Sequence, residues 1–306
     1  MPSPTLYDLP MIRSKRSARQ PQEIPAMSRT GGQFIVFGNE KGGSGKTTAA
    51  MHVAVALAQT NKRVGAIDLD LRQRTFSRQI ENRMAWQERS GRTLAMPERL
   101  ELSSSTSSSL DAAAKEETDA FAAMIVSAQN VYDFVIIDSP GANTHLSRQA
   151  HAAADIVVTP LNDSFVDFDL LATIDPQTYA VSKPSVYSDF VWECRKRRLM
   201  ARKPALDWIV MRNRLTATDA KNKRRMSAAI DALARRIGFR VAPGFGERVI
   251  YRELFPAGLT VLDLPQPGLD ISLSMSHLAA RQEVRALVST LTLPAREAAA
   301  QVQSAA

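Results

Sequence analysis

The sequence of 306 residues holds a single cysteine, Cys194. One thiol excludes a disulfide framework and any thiolate-ligated cluster built by one chain, and it agrees with a reducing compartment. Histidine is scarce too. His52, His145, His151 and His277 are scattered without the spacing of a metal site, so packing and surface roles are expected for them. No run approaches eighteen uninterrupted apolar residues, the length a membrane-spanning helix requires. The N-terminal segment lacks the apolar stretch of a secretory signal, so a cytoplasmic location and no membrane partner are expected. No internal repeat is present.

What is present suffices for one large α/β domain, with 44% apolar residues to build its core. Residues 1–32 carry Pro2, Pro4, Pro10, Pro21 and Pro25 with scattered basic residues and no periodicity; they read as a disordered extension. Residues 33–293 form the expected domain, and the Ala- and Gln-rich residues 294–306 a flexible tail. Strands are expected at Phe34–Gly38, Lys62–Asp70, Val131–Ile137, Ile156–Pro160, Trp208–Met211 and Phe239–Val241. Helical patterns cover Ala49–Ala58, Thr75–Arg89, Asp111–Gln129, Ala217–Arg236 and Leu273–Leu291, the last stopping before Pro294. The run Ser103–Ser109 reads as a solvated loop, and Trp86, Trp192 and Trp208 as packing residues. This alternation predicts a doubly wound, mainly parallel sheet with helices on both faces.

The stretch Asn39-Glu40-Lys41-Gly42-Gly43-Ser44-Gly45-Lys46-Thr47-Thr48 lies between the first strand and the first helix. Strand, glycine-rich turn, Gly-Lys-Thr and helix together make a phosphate-binding loop, hence a P-loop NTPase. Its glycines let backbone N–H groups curl around a phosphate at the positive end of a helix. Gly42, Gly43, Ser44, Gly45, Lys46, Thr47 and Thr48 are the expected nucleotide contacts. Lys46 is placed to reach the β- and γ-phosphates, and the Thr47 hydroxyl to hold Mg²⁺. The usual spacing puts the first glycine at position 40, where this chain has Glu40, followed by a second lysine, Lys41.

Asp138 ends an apolar strand in the order Ile136-Ile137-Asp138-Ser139-Pro140-Gly141, the place of the carboxylate that holds Mg²⁺ in nucleoside triphosphatases. Asp68 and Asp70 share a face at the end of another strand, where ligands bind in open α/β sheets. One is suited to polarising the attacking water and the other to supporting Mg²⁺; the alternative is a pair of solvated strand-end acids.

These three stretches resemble the ParA/MinD family of deviant Walker ATPases. Asn162–Asp169 and Arg248–Phe255 point within it to the alphaproteobacterial branch that positions the FtsZ division ring. The resemblance covers about residues 34–293; the N-terminal extension and the serine-rich segment stand outside it. It implies ATP and Mg²⁺ as ligands and an ATP-dependent homodimer in which Lys41 reaches the partner subunit's ATP. Facing phosphates repel unless cations are interposed, so the physics of the loop agrees. It further implies that Asp70 is needed for hydrolysis, with Lys41 and Lys46 completing the catalytic set. By analogy Asn213 contacts adenine; a plain loop asparagine is the alternative. Expected partners are FtsZ, the partition protein ParB and nonspecific DNA, with the ATP dimer located on the nucleoid.

The charge distribution bears on DNA independently. Between Trp192 and Arg240 fifteen Lys and Arg face four acids, so this region carries more than the chain's whole net charge of +8. Lys221, Arg224 and Arg225 fall on one side of a helix, and Arg248 in the next loop is positioned to join them. A solvated helix face is the plain alternative. With no base-reading motif or interleaved aromatics, such a surface predicts salt-sensitive backbone contacts. A partition ATPase of the ParA type is the alternative enzyme. A nucleotide-gated scaffold with incidental hydrolysis is the alternative class.

Overall fold

Period-two alternation decides the architecture. In β1 (Gln33–Phe37) every residue is buried, yet neighbours face opposite ways. Ile35 and Phe37 enter one apolar cluster, Phe34 and Val36 another. A strand buried on both faces belongs inside a layered α/β fold. The computed structural model describes residues 31–175, 181–215, 220–264 and 273–291. The expected tail and all but the last two residues of the expected extension lie outside the described residues.

In chain order the elements after β1 are α1 (Lys46–Ala58), β2 (Val64–Asp68), α2 (Thr75–Ser90), β3 (Glu98–Leu100), α3 (Leu110–Val131), β4 (Phe134–Asp138), α4 (His145–Ala153), β5 (Ile156–Asn162) and α5 (Phe165–Phe168). There follow β6 (Ala172–Ile174), β7 (Val181–Pro184), α6 (Val186–Met200), β8 (Asp207–Asn213), α7 (Ala220–Ile237), β9 (Arg240–Ala242), α8 (Ile250–Glu253), a 3₁₀ turn Phe255–Ala257, and α9 (Met275–Thr290). Seven strands form one parallel sheet in the order β3-β2-β4-β1-β5-β8-β9. A separate antiparallel pair joins β6 to β7. Residues of α1, α2 and α9 fill the first cluster, those of α3, α4, α6 and α7 the second. The sheet is doubly wound, as the alternation implies.

The central helix α1 is buried over most of its length, including Ala49, Ala50 and Ala54. Small side chains let it lie close to the sheet, and a helix buried nearly all round carries no polar stripe. The helix α2 buries a charged residue instead. Arg83 and Asp263 are fully buried and form two parallel hydrogen bonds of 2.8 Å, while Arg83 also donates to the Gly258 and Ala95 carbonyls. This pair clamps α2 to the segment leading towards α9.

Several boundaries differ from the sequence reading. The strand expected over Val131–Ile137 runs Phe134–Asp138, because the alanine-rich α3 continues through Val131 and Tyr132 serves as its C-cap. α1 begins at Lys46 rather than Ala49, so the loop's lysine and threonine belong to the first helical turn. The elements β3, α4, α6 and the β6–β7 pair were not anticipated: α6 has no strong helical period, α4 spans only nine residues, and the strands only three or four. Trp208 is buried and Trp86 packs against the core, but Trp192 is 48% exposed, which corrects its assignment as a packing residue. It faces outward from α6 while Val191 and Cys194 take the core side. Residues 217–219 of the helix expected over Ala217–Arg236 lie outside the described residues. None of the helices among the described residues is long and apolar enough to cross a membrane.

Candidate functional site

Parallel strands deliver their C-terminal ends to one edge, and β1 stands where the strand order reverses direction. Ligands of open α/β sheets bind at such a switch point. Gly38 to Gly45 leave β1 there and lead into α1. Gly45, the N-cap, has φ +89°, and a Cβ on it would stand 2.0 Å from Asn213 Nδ2. Only glycine fits that place. No side chain caps α1, so its amino end is open to an anion.

Gly42 and Gly43 are exposed at the rim and Ser44 is buried. Lys46 is 7% exposed, and its Nζ donates to the Lys41 carbonyl at 2.9 Å. Burial lowers its pKa, against the opposing charges of Asp138 and Asp70. Thr47 Oγ1 donates to Asp138 Oδ2 at 2.5 Å. Burial pushes the Asp138 carboxyl up to about 7 and the Asp68 charge adds to it, while Thr47 and Lys46 oppose the rise. Asp138 Oδ1 is buried with no hydrogen-bond partner in the protein. A hydroxyl beside a carboxylate with a spare oxygen is a hard-oxygen donor set that fits Mg²⁺. Among the described residues no group of three or more His, Cys, Asp and Glu is arranged to hold a metal. Mg²⁺ needs none, since it takes most of its ligands from water and phosphates.

Asp68 pairs in register with Asp138 across β2 and β4. Its Oδ1 accepts the Asp70 amide at 3.0 Å and its Oδ2 the Ser77 amide at 2.9 Å. Burial raises its pKa, and these backbone hydrogen bonds oppose the rise. Asp68 thereby holds the turn between β2 and α2. Asp70 is half-buried, and its Oδ1 accepts the Gln73 amide at 2.9 Å. Thr48 contributes its carbonyl to His52 Nδ1 at 2.7 Å. Asn213, at the end of β8, donates from Nδ2 to the Ser44 carbonyl at 2.8 Å, which fixes it against the phosphate loop. The segment after Asp138 also abuts that loop: a Cβ on Gly141 would lie 2.9 Å from the Gly42 backbone.

Lys41 behaves differently from Lys46. Its amide donates to Asn39 Oδ1 at 2.6 Å, and Asn39 Nδ2 donates to the Pro160 carbonyl at 2.5 Å. Its ammonium pairs with Asp167 of α5, whose other oxygen accepts the Asn162 amide at 3.0 Å. The Lys41 side chain is 40% exposed while that of Asp167 is 4% exposed, so a buried anion anchors a lysine whose side chain stays partly in solvent. Residue-by-residue reasoning missed both Asn39 and Asp167. The only sequence signal for Asp167 was its place in the stretch Asn162–Asp169. Glu40, at the position of the usual first glycine, is raised by partial burial against the charge of Arg148.

The basic region is less available than its residue count implies. Arg198 is buried on Asp155, Arg212 pairs with Asp163 and Arg240 with Asp207. Arg195 and Arg236 donate to backbone carbonyls. Arg248 pairs with Glu283 of α9 at 2.5 Å and donates to Ser276 Oγ at 2.9 Å. Arg224 and Arg225 are exposed on α7, whereas the Lys221 side chain lies outside the described residues. Counting charges along the chain misses this partial neutralisation because the carboxylates on Arg198 and Arg212 come from outside the region and the carbonyls on Arg195 and Arg236 carry no formal charge.

A family model described as ATPase MipZ matches residues 33–295. Among curated proteins, the virC1 protein of Rhizobium radiobacter is 28% identical over 139 residues, which is 45% of this chain. The match spans about half, 52%, of that protein's length. Among solved structures, the putative plasmid partition protein of Borrelia burgdorferi B31 bound to AMPPNP aligns with TM-score 0.52 at 14% identity, over 85% of this chain and 99% of that one. The septum site-determining protein MinD of Pyrococcus horikoshii OT3, complexed with Mg-ADP, aligns with TM-score 0.51 at 17% identity, over 82% and 93%. At these identities the structural likeness concerns the fold.

Proposed function

The chain belongs to the MipZ family of ATPases, and from that premise we propose that it is an ATP-gated dimerising switch that limits FtsZ polymerisation. Its ATP dimer holds nonspecific DNA, and slow hydrolysis returns it to the monomer. One observation carries this reading. Two lysines flank one phosphate loop, but only Lys46 lies inside it; Lys41 is held at the rim by Asp167. A cation kept outside its own cradle is suited to the phosphates of a second subunit, where it offsets their mutual repulsion.

In this reading Gly42 to Thr48 bind the phosphates and Asn213 the adenine end. Thr47 and Asp138 hold Mg²⁺, supported by Asp68. When bound, Mg²⁺ neutralises charge on the phosphate oxygens. Asp70 orients the attacking water. The site offers no strongly basic group for that water, so orientation and charge neutralisation carry the rate, which is expected to be slow. The exposed Arg224 and Arg225, with Lys221, supply the DNA surface, and Arg248 joins them by exchanging Glu283 for a phosphate. Dimerisation doubles its phosphate contacts and makes DNA binding depend on ATP. FtsZ and ParB are the protein partners of this reading.

Asp70→Ala is expected to trap the ATP dimer. Gel filtration should then show a dimer with ATP and a monomer without it, and the trapped protein should reduce FtsZ sedimentation. A monomer in both conditions rejects the switch. A trapped dimer that leaves FtsZ polymers intact while relocating DNA cargo favours the ParA-type partition reading instead.

A further inference from the structure

A buried polar chain joins the root of the phosphate loop to the segment after Asp138. Tyr187, His151, Ser147, Ser139, Thr159 and Trp208 are all buried. The Tyr187 hydroxyl donates to the Gly38 carbonyl at 2.9 Å, at the point where β1 gives way to the loop. It also lies 2.9 Å from Thr159 Oγ1 and 3.2 Å from His151 Nε2. His151 Nδ1 lies 2.7 Å from the Ser147 carbonyl, and the Ser139 hydroxyl donates to Ser147 Oγ at 2.9 Å. The approach at Gly38 is close: a Cβ there would stand 2.2 Å from His151 Nε2.

Counting protons assigns the roles. Trp208 Nε1 donates to Thr159 Oγ1 at 3.0 Å, and with the Tyr187 proton on the Gly38 carbonyl it is Thr159 that donates to the Tyr187 oxygen. The Ser147 carbonyl only accepts, so His151 Nδ1 carries that ring's proton. Burial holds the ring neutral, with its pKa pushed down to about 4. Nε2 is then a lone pair facing Tyr187. Tyr187 therefore has one proton and two acceptors, the Gly38 carbonyl and His151 Nε2. With both acceptors buried, losing that donor leaves a polar atom without water to replace it.

We propose that Tyr187 is a positioning residue for nucleotide binding, its single phenolic proton shared between the Gly38 carbonyl and His151 Nε2. The sharing fixes the entry of the phosphate loop and links it, through α4, to the Ser139 end of the segment after Asp138. The inference rests on the nucleotide-binding reading above and adds residues outside the loop to it.

The test is equilibrium binding of a fluorescent ADP and of a non-hydrolysable fluorescent ATP analogue to the full chain, with thermal melting in parallel. Tyr187→Phe keeps the ring and removes the proton. It is expected to weaken both nucleotides by roughly fivefold to tenfold, the scale of one lost buried hydrogen bond. Ser147→Ala cuts the link to Ser139 while leaving Tyr187 on Gly38. It is expected to weaken the ATP analogue several-fold more than ADP, because only ATP has a γ-phosphate for the segment after Asp138 to meet. Wild-type affinities in Tyr187→Phe, whatever its melting temperature, overturn the proposal. Should Tyr187→Phe fail to fold, Ser147→Ala decides, and an equal or absent effect on the two nucleotides overturns it. A wild-type chain that binds neither nucleotide overturns the functional reading itself, a result distinct from altered or unaltered variants of a binding wild type.

Discussion

The ion pair between Lys41 and Asp167 is the contact that any cross-subunit role for Lys41 has to break. Asp167 is nearly buried, yet Lys41 is 40% exposed, so water screens the pair and its worth is about 1 kcal/mol. A device of that size biases an equilibrium without locking it. Asp167→Asn keeps an oxygen for the Asn162 amide and removes the charge that detains the lysine. The variant is expected to form its ATP-dependent dimer at roughly thirtyfold lower protein concentration, since each dimer breaks two such pairs and ~2 kcal/mol is about that factor. Analytical ultracentrifugation across a concentration series reads the shift. The same gain in a Lys41→Ala background would show that Asp167 acts by another route.

At the scale of elements, the clamp between α2 and the segment before α9 dominates. Burial alone would raise the Asp263 carboxyl, but the Arg83 hydrogen bonds and charge, with the Thr260 hydrogen bonds, outweigh it and hold the group low. Removing one partner of a buried, doubly bonded pair leaves the other charge uncompensated, at a cost of about 3–5 kcal/mol. Asp263→Asn should therefore lower the melting temperature by roughly 10 °C, given the few degrees per kcal/mol expected for a chain this long. Calorimetry showing an unchanged melting temperature would remove Arg83–Asp263 from the list of what holds the fold. None of this was legible in the sequence, where Arg83 is one cation in a charged helix and Asp263 lies 180 residues away.

For the whole molecule, two histidines on opposite faces of the sheet set an acid limit. Burial depresses His52 and His151 to about 4 from an ordinary 6.5. Both are neutral in the fold, whereas in the unfolded chain they take up protons as pH falls below 6.5. Their contribution is thus fully present above that pH and is lost as pH falls towards 4, on the order of 3 kcal/mol per ring. Unfolding by urea at several pH values should show stability falling through this window. His52→Gln should give a lower stability at pH 7 but a shallower fall below 6.5. Equal slopes for the two proteins would assign the acid sensitivity to carboxylates.

The sequence by itself determined the fold class and the heart of the site. Local strand and helix periods, set between a glycine-rich turn and strand-end acids, leave few arrangements other than a doubly wound sheet with a phosphate loop at its edge. That Lys46, Thr47 and Asp138 come together was legible because their placement depends on neighbours close in sequence and on strand ends that a parallel sheet must align. Tertiary structure alone decided the long-range partners: Asp167 for Lys41, Asp263 for Arg83, Glu283 for Arg248, and Tyr187 for Gly38. Each joins segments far apart in the chain, and no local pattern encodes which buried charge or hydroxyl will meet which. That is also why charge counted along the sequence overstated the free positive surface, while the second lysine of the loop was seen from the start without sight of the carboxylate that holds it.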